Sequence, residues 1–157
     1  VLWEKVPRKW RAELSLLAIA ITVLAADQGG KALVLRYLPY QQPRNPIPAL
    51  FPLAILTHVT NTGAAFGLFP GGSTVFTVIA LIFIAAIFVF YRYLPHHLGL
   101  VRLSLGLQLG GVVGNLMDRL RFGWVIDFID LTFCPVFNVA DGCIVVGVVV
   151  LAYHLLF

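Results

Sequence analysis

Asp118, Asp127, Asp130 and Asp141 are four of the seven acidic residues in this chain, and all lie between Gly114 and Asp141. The surrounding sequence is strongly apolar, where carboxylates are expensive to bury and usually serve a purpose. Two carboxylates held a few ångströms apart cannot both ionise easily, so they tend to share one proton. The ionised one can then take a proton from water while the other donates to a scissile carbonyl. Asp127 and Asp141 are read as such a pair at the membrane surface. The pair titrates as a unit, so neither acid is assigned a fixed role. A helix beginning near Asp141 would favour its negative charge.

Other chemistries find less support. No GxSxG or SxxK motif is present. His96, His97 and His154 are expected on the opposite side of the membrane from the acids, leaving His58 as the one outer candidate base. Cys134 and Cys143 show neither CxxC nor HExxH context. Free thiols are expected; a disulfide between them is geometrically open but has no support. No metal and no cofactor are implied.

The elements that must position the acids follow from composition. The 157 residues are 60% hydrophobic and 11% charged, against about 25% charged in a soluble chain. This indicates an all-α integral membrane protein organised as a single domain over 1–157. Four spans are expected near 12–36, 73–92, 97–118 and 138–157, with 37–72 and 119–137 extracytoplasmic. The formal charge of +4 fits basic residues at helix ends and anionic headgroups. No basic stripe interleaved with aromatics occurs, so nucleic acid is not a partner.

Lys5, Arg8, Lys9 and Arg11, with Trp3 and Trp10, suggest a cytoplasmic start lying at the interface. The apolar run Leu14–Ala26 could also be a cleavable leader. The run continues through Ala32-Leu33-Val34-Leu35, however, which makes the segment long enough to span. Asp27 and Lys31 share a helix face at i, i+4 and can pair. Five prolines between 39 and 56 forbid a helix there and indicate an extended connection. That stiff stretch, with Gly71-Gly72 as a hinge, is read as a moving flap. Short strands or a turn are expected around Asn61-Thr-Gly63-Ala-Ala-Phe66-Gly67. Gly106, Gly110, Gly111 and Gly114 have spacings that let helices approach closely in lipid.

With a basic N-terminus inside, span one ends outside at Asp27–Lys31 and span three at Asn115, Asp118 and Arg119. Span four begins outside at Asp141, and both termini are cytoplasmic. Every polar cluster then falls on one side. The charge bias itself is weak, with six Lys/Arg inside and five outside. Asn115, Asp118 and Arg119 share one face, as do Asn138 and Asp141. Asp118 with Arg119 could be a structural ion pair, and Asp130 a solvated surface acid.

These motifs resemble those of lipoprotein signal peptidase, the signal peptidase II family, over essentially the whole length. The matching stretches are Asp27-Gln28-x-x-Lys31, the Asn61–Gly67 segment, Gly114-Asn115-x-x-Asp118-Arg119 through Asp127-Phe128, and Phe137-Asn138-x-Ala140-Asp141-x-x-Ile144. The resemblance implies a four-helix aspartic peptidase of the bacterial inner membrane, with a small extracytoplasmic β-element; a monomer is expected. It would cut prolipoproteins before a diacylglyceryl-modified cysteine, with membrane lipids as its surroundings. It implies Asp127 and Asp141 as the catalytic dyad. Asn61, Gly63, Asn115, Asp118, Arg119 and Asn138 would bind substrate or orient the dyad, supported by Asp27 and Lys31. Two residues depart from the family pattern: Gly30, where a hydroxyl residue is usual, and Gly142, where a larger small residue is common.

Two readings from other classes compete. A small proton-coupled transporter would use the acids as a relay, but no repeat is found and the charges gather at one end. A scaffold packing partner helices through its glycines leaves the acids unexplained.

Overall fold

Long apolar runs free of internal proline satisfy their own backbone hydrogen bonds as helices, as lipid requires. In the computed structural model four of them form: α1 (Arg8–Tyr37), α2 (Ser73–Tyr91), α3 (Gly99–Phe122) and α4 (Val139–Leu156). Each is long and apolar enough to cross a membrane. The structure describes residues 7–45, 48, 51, 53–63, 71–95 and 97–157, with Arg8 and Lys9 described by backbone alone. The interfacial start at 1–6, residues 64–67 of the Asn61–Gly67 motif, parts of the proline-rich connection and His96 lie outside the described residues.

Helix α3 is the centre of the bundle and packs against α1, α2 and α4. Its glycines are what allow this. A methyl group on Gly110 would sit 2.6 Å from the Ala20 carbonyl oxygen of α1, and one on Gly111 2.5 Å from that of Ala140 in α4. Neighbouring glycines thus admit a different helix on each side. Lower in the bundle, the Ser104 hydroxyl donates to the Gly147 carbonyl at 2.8 Å and receives Gln108 Nε2 at 2.9 Å. Leu16, Ala20, Ile87, Val101, Leu105 and Leu109 fill the apolar core between α1, α2 and α3.

Helix α3 runs four residues beyond the expected end at 118. Nothing between Arg119 and Phe122 breaks a helix, and Arg119 and Arg121 suit the negative end of the helix dipole. Gly123 stops it with φ of 83°, its N–H returning to the Arg119 carbonyl at 2.9 Å.

The reversal leads into β2 (Val125–Asp130), which pairs antiparallel with β1 (Ile55–Asn61). Asn61 lies opposite Val125 and Val59 opposite Asp127, with an irregularity between Leu56 and Val59. Alternation along β2 sends Ile126 and Phe128 into a second apolar cluster with Val34 of α1. Val125 and Asp127 face the other way. The proline-rich connection is not the uniformly extended segment expected: where described it mixes bridges with turns, Gln42 N–H returning to the Pro39 carbonyl and Phe51 N–H to the Pro48 carbonyl. Arg44 and Leu56 exchange both backbone hydrogen bonds, and Gln41 N–H donates to the His58 carbonyl. The first part of the expected flap is therefore tied to the sheet.

The close α1–α3 crossing generates a prediction. Gly110→Ala places a methyl group against backbone that cannot swing aside, and should lower stability by about 1–3 kcal/mol. Gly99→Ala, where an added methyl group meets nothing within 4 Å, should be neutral or slightly stabilising. Thermal unfolding of both variants in detergent checks the contrast.

Candidate active site

The site lies where the later part of α1, the C-terminal half of α3, β2 and the start of α4 meet. Its foundation is ionic. The Lys31 ammonium lies 2.8 Å from Asp27 Oδ2 and 2.8 Å from Asp118 Oδ2, and all three side chains are buried. The remaining lone pairs are satisfied by other elements. Asp27 Oδ1 accepts the Ala140 N–H at 3.0 Å, and Asp118 Oδ2 accepts the Ile126 N–H at 3.1 Å. Gln28 Nε2 donates to Asp118 Oδ1 at 3.0 Å and to the Gly114 carbonyl at 3.2 Å.

This corrects the pairing expected between Asp118 and Arg119, because Asp118 pairs with Lys31. On a helix, adjacent residues point about 100° apart, and Asp118 faces α1 while Arg119 faces the cavity. Gln28 was quoted in the sequence motif without a role. Its Nε2 also lies 3.2 Å from Asp27 Oδ2, and the close α1–α3 crossing brings the same amide to Asp118.

Upon this foundation stands a relay of amides. Lys31 donates to Asn115 Oδ1 at 3.1 Å, as does Asn138 Nδ2 at 3.1 Å. Asn115 Nδ2 is thereby turned toward Asp141 and donates to its Oδ1 at 2.7 Å. Asn138 Nδ2 also donates to Asp127 Oδ1 at 2.6 Å. Asn61 Nδ2 reaches Asp127 Oδ2 at 3.1 Å, while Asn61 Oδ1 accepts the Gly63 N–H at 2.9 Å in a local turn. That turn fixes which end of the amide faces the acid.

The start of α4 is equally determined. Asn138 caps it, accepting the Asp141 N–H at 2.9 Å, and Asp141 Oδ2 accepts the Asn138 N–H in return. Phe137 exchanges backbone hydrogen bonds with Ile129, folding 131–137 back along β2. Asp127 and Asp141 are thus brought to one cavity of about 620 Å³, which Asn61, Asn115 and Arg119 also line. Burial pushes the Asp127 carboxyl up to about 7. The nearby Asp141 charge adds to this, against the amide donors Asn61 and Asn138 and the charge of Lys31.

Arg119 is half-buried, lies over the Phe76 ring at 5.5 Å, and its Nε–H finds no partner among the described residues. Asp130 accepts from Thr57 and from the Thr132 N–H, away from the cavity. The His58 Nδ1 is 3.1 Å from the Leu38 carbonyl oxygen, and its ring does not line the cavity. At Gly30 the Phe128 ring stands 3.0 Å from where a methyl group would be, so the ring covers the place of the usual hydroxyl. Gly142 has open space, with only the Phe137 ring at 3.8 Å. Both cysteines are free.

Residues 19–157 match the family described as signal peptidase (SPase) II. A lipoprotein signal peptidase of Moorella thermoacetica is 46% identical over 140 residues, covering 89% of this chain and 91% of that protein. One from Halothermothrix orenii is 39% identical, covering 87% and 92%. A solved bacterial membrane enzyme, determined by the in meso method at 2.3 Å, superposes with a TM-score of 0.82 at 30% identity. It covers 90% of this chain and 87% of its own.

Two outcomes are expected from this geometry. Lys31→Met leaves Asp27 and Asp118 buried without their cation and should cost about 3–5 kcal/mol, read by thermal unfolding. The second concerns pH. The folded state holds the Asp127 proton more tightly than the unfolded chain does, so this group makes stability fall as pH rises toward about 7. Asp127→Asn cannot ionise, and its melting temperature should fall less than wild type between about pH 5 and about pH 8.

Proposed function

The chain belongs to the signal peptidase II family of membrane proteases, and from that premise we propose that Asp127 and Asp141 form an aspartic dyad that hydrolyses a peptide bond. The observation that carries this reading is the convergence of these two acids on one cavity, each held by asparagine donors. Near neutral pH the pair holds one proton, as the position of Asp127 at about 7 allows. The ionised oxygen takes a proton from water, and the hydroxide equivalent attacks the scissile carbonyl. The shared proton goes to the carbonyl oxygen, and collapse of the tetrahedral species returns a proton to the leaving amine. Asn115 and Asn138 hold the two carboxylates in register while charge moves between them. The unpartnered Arg119 Nε–H supplies a donor for a substrate carbonyl.

The substrate is a diacylglyceryl-modified prolipoprotein, cut before its lipidated cysteine. The cavity supports this choice. Its walls are largely apolar, built from residues such as Leu131, Val136 and Ile144, and Val145 and Val146 carry the lining onto the exposed face of α4. A lipid-tailed peptide can enter sideways, keeping its acyl chains in hydrocarbon while the scissile bond meets the acids. The dyad end of the bundle is extracytoplasmic, where such precursors emerge. Every site residue comes from one chain, so a monomer suffices.

Purified protein in detergent with lipid should cleave the lipidated precursor and leave the unmodified one intact, seen by gel shift. Asp127→Asn and Asp141→Asn, each checked for folding, should lose roughly 10²–10⁴-fold in rate. Cleavage by wild type should decline as pH rises through about 7, where the dyad gives up its proton. Full activity in either folded variant, or equal cleavage of both precursors, would sink the proposal.

A further inference from the structure

At the end of the bundle away from the acids, a groove of about 540 Å³ lies between the first turns of α1 and the last turns of α2. Leu16, Leu17, Ala85 and Phe88 make its apolar walls, and Glu13 of α1 and Arg92 at the end of α2 also line it. By the rise of a helix, Ala85 to Arg92 extends roughly 10 Å, within one leaflet of the bilayer. No ion pair involves Glu13 or Arg92 among the described residues. Arg102, nearby, is engaged by Ser15 at 3.4 Å and by Tyr91.

A carboxylate at the edge of hydrocarbon is costly unless paired. Here an acid and a guanidinium, neither in an ion pair among the described residues, line a greasy slot. The charges match a headgroup that carries both signs. An anionic headgroup would satisfy Arg92 and be repelled by Glu13. A quaternary ammonium has no N–H to donate to a carboxylate. A primary ammonium beside a phosphodiester satisfies both residues.

We propose that this groove is a binding site for a phospholipid of the phosphoethanolamine class. Arg92 takes the phosphate, Glu13 takes the ammonium, and one acyl chain lies along Leu17, Ala85 and Phe88. The site is separate from the acids and does not depend on their chemistry.

The test uses the full chain in detergent, exposed to an equimolar mixture of dioleoyl phosphatidylethanolamine, phosphatidylcholine and phosphatidylglycerol. Native mass spectrometry then reads what stays bound as detergent is increased. One phosphatidylethanolamine should persist. Glu13→Gln should lower its retention about tenfold, the effect of losing one charge-assisted hydrogen bond, while leaving phosphatidylcholine unchanged. Arg92→Gln should weaken all three phospholipids. Ala85→Trp, and independently the smaller change Leu17→Phe, should crowd the groove and reduce retention, with helix content checked by circular dichroism. Equal retention of the three lipids would show ordinary boundary lipid and overturn the site. So would preference for phosphatidylglycerol, indifference to Glu13→Gln, or a second copy of the chain in place of lipid.

Discussion

Two buried carboxylates sharing one buried ammonium set the frame of this molecule. Asp27 and Asp118 bring two negative charges to Lys31, which supplies only one positive charge. Such a cluster survives burial only if the surplus is spread over hydrogen-bond donors. The donors available are the backbone N–H groups of Ala140 and Ile126 and the Gln28 amide. These belong to α4, β2 and α1. Satisfying the cluster therefore determines how each element that carries the site must sit around α3.

The same ammonium settles the direction of every amide above it. Lys31 can only donate, so Asn115 must offer its oxygen there and its nitrogen to Asp141. Asn138 adds a second donor to that oxygen and a donor to Asp127. Asp127 and Asp141 are thus oriented by a chain of obligatory donor and acceptor choices. Flexible side chains at a lipid boundary would otherwise sample several arrangements. Here reversing one amide would leave Lys31 facing a donor.

Much of this was legible from residue types alone. Unbroken apolar runs announced four helices, glycine spacings announced close crossings, and Asn138 three residues before Asp141 announced a shared face. The partner of Asp118 was not legible, because adjacency in sequence suggested Arg119 while the fold supplied Lys31 from another helix. The α3 helix outruns the expected span for a local reason. Arg119 and Arg121 look like the start of a polar loop, yet only Gly123 changes the backbone. His58 was the available base by topology, but its ring is turned to the Leu38 carbonyl by the fold of the connection onto β1. The misses at Asp118 and His58 concern contacts between distant segments, which no local pattern encodes.

The pairing of Phe137 with Ile129 has a consequence for how such a protein can diversify. It anchors the chain near the end of Asp127's strand and just before Asp141's helix, so 131–136 hangs between two fixed points. That short segment forms part of the cavity wall through Leu131, Cys134 and Val136. Residues could be added to it or removed from it without shifting either acid. This stretch of cavity wall is free to drift, while the two acids stay anchored.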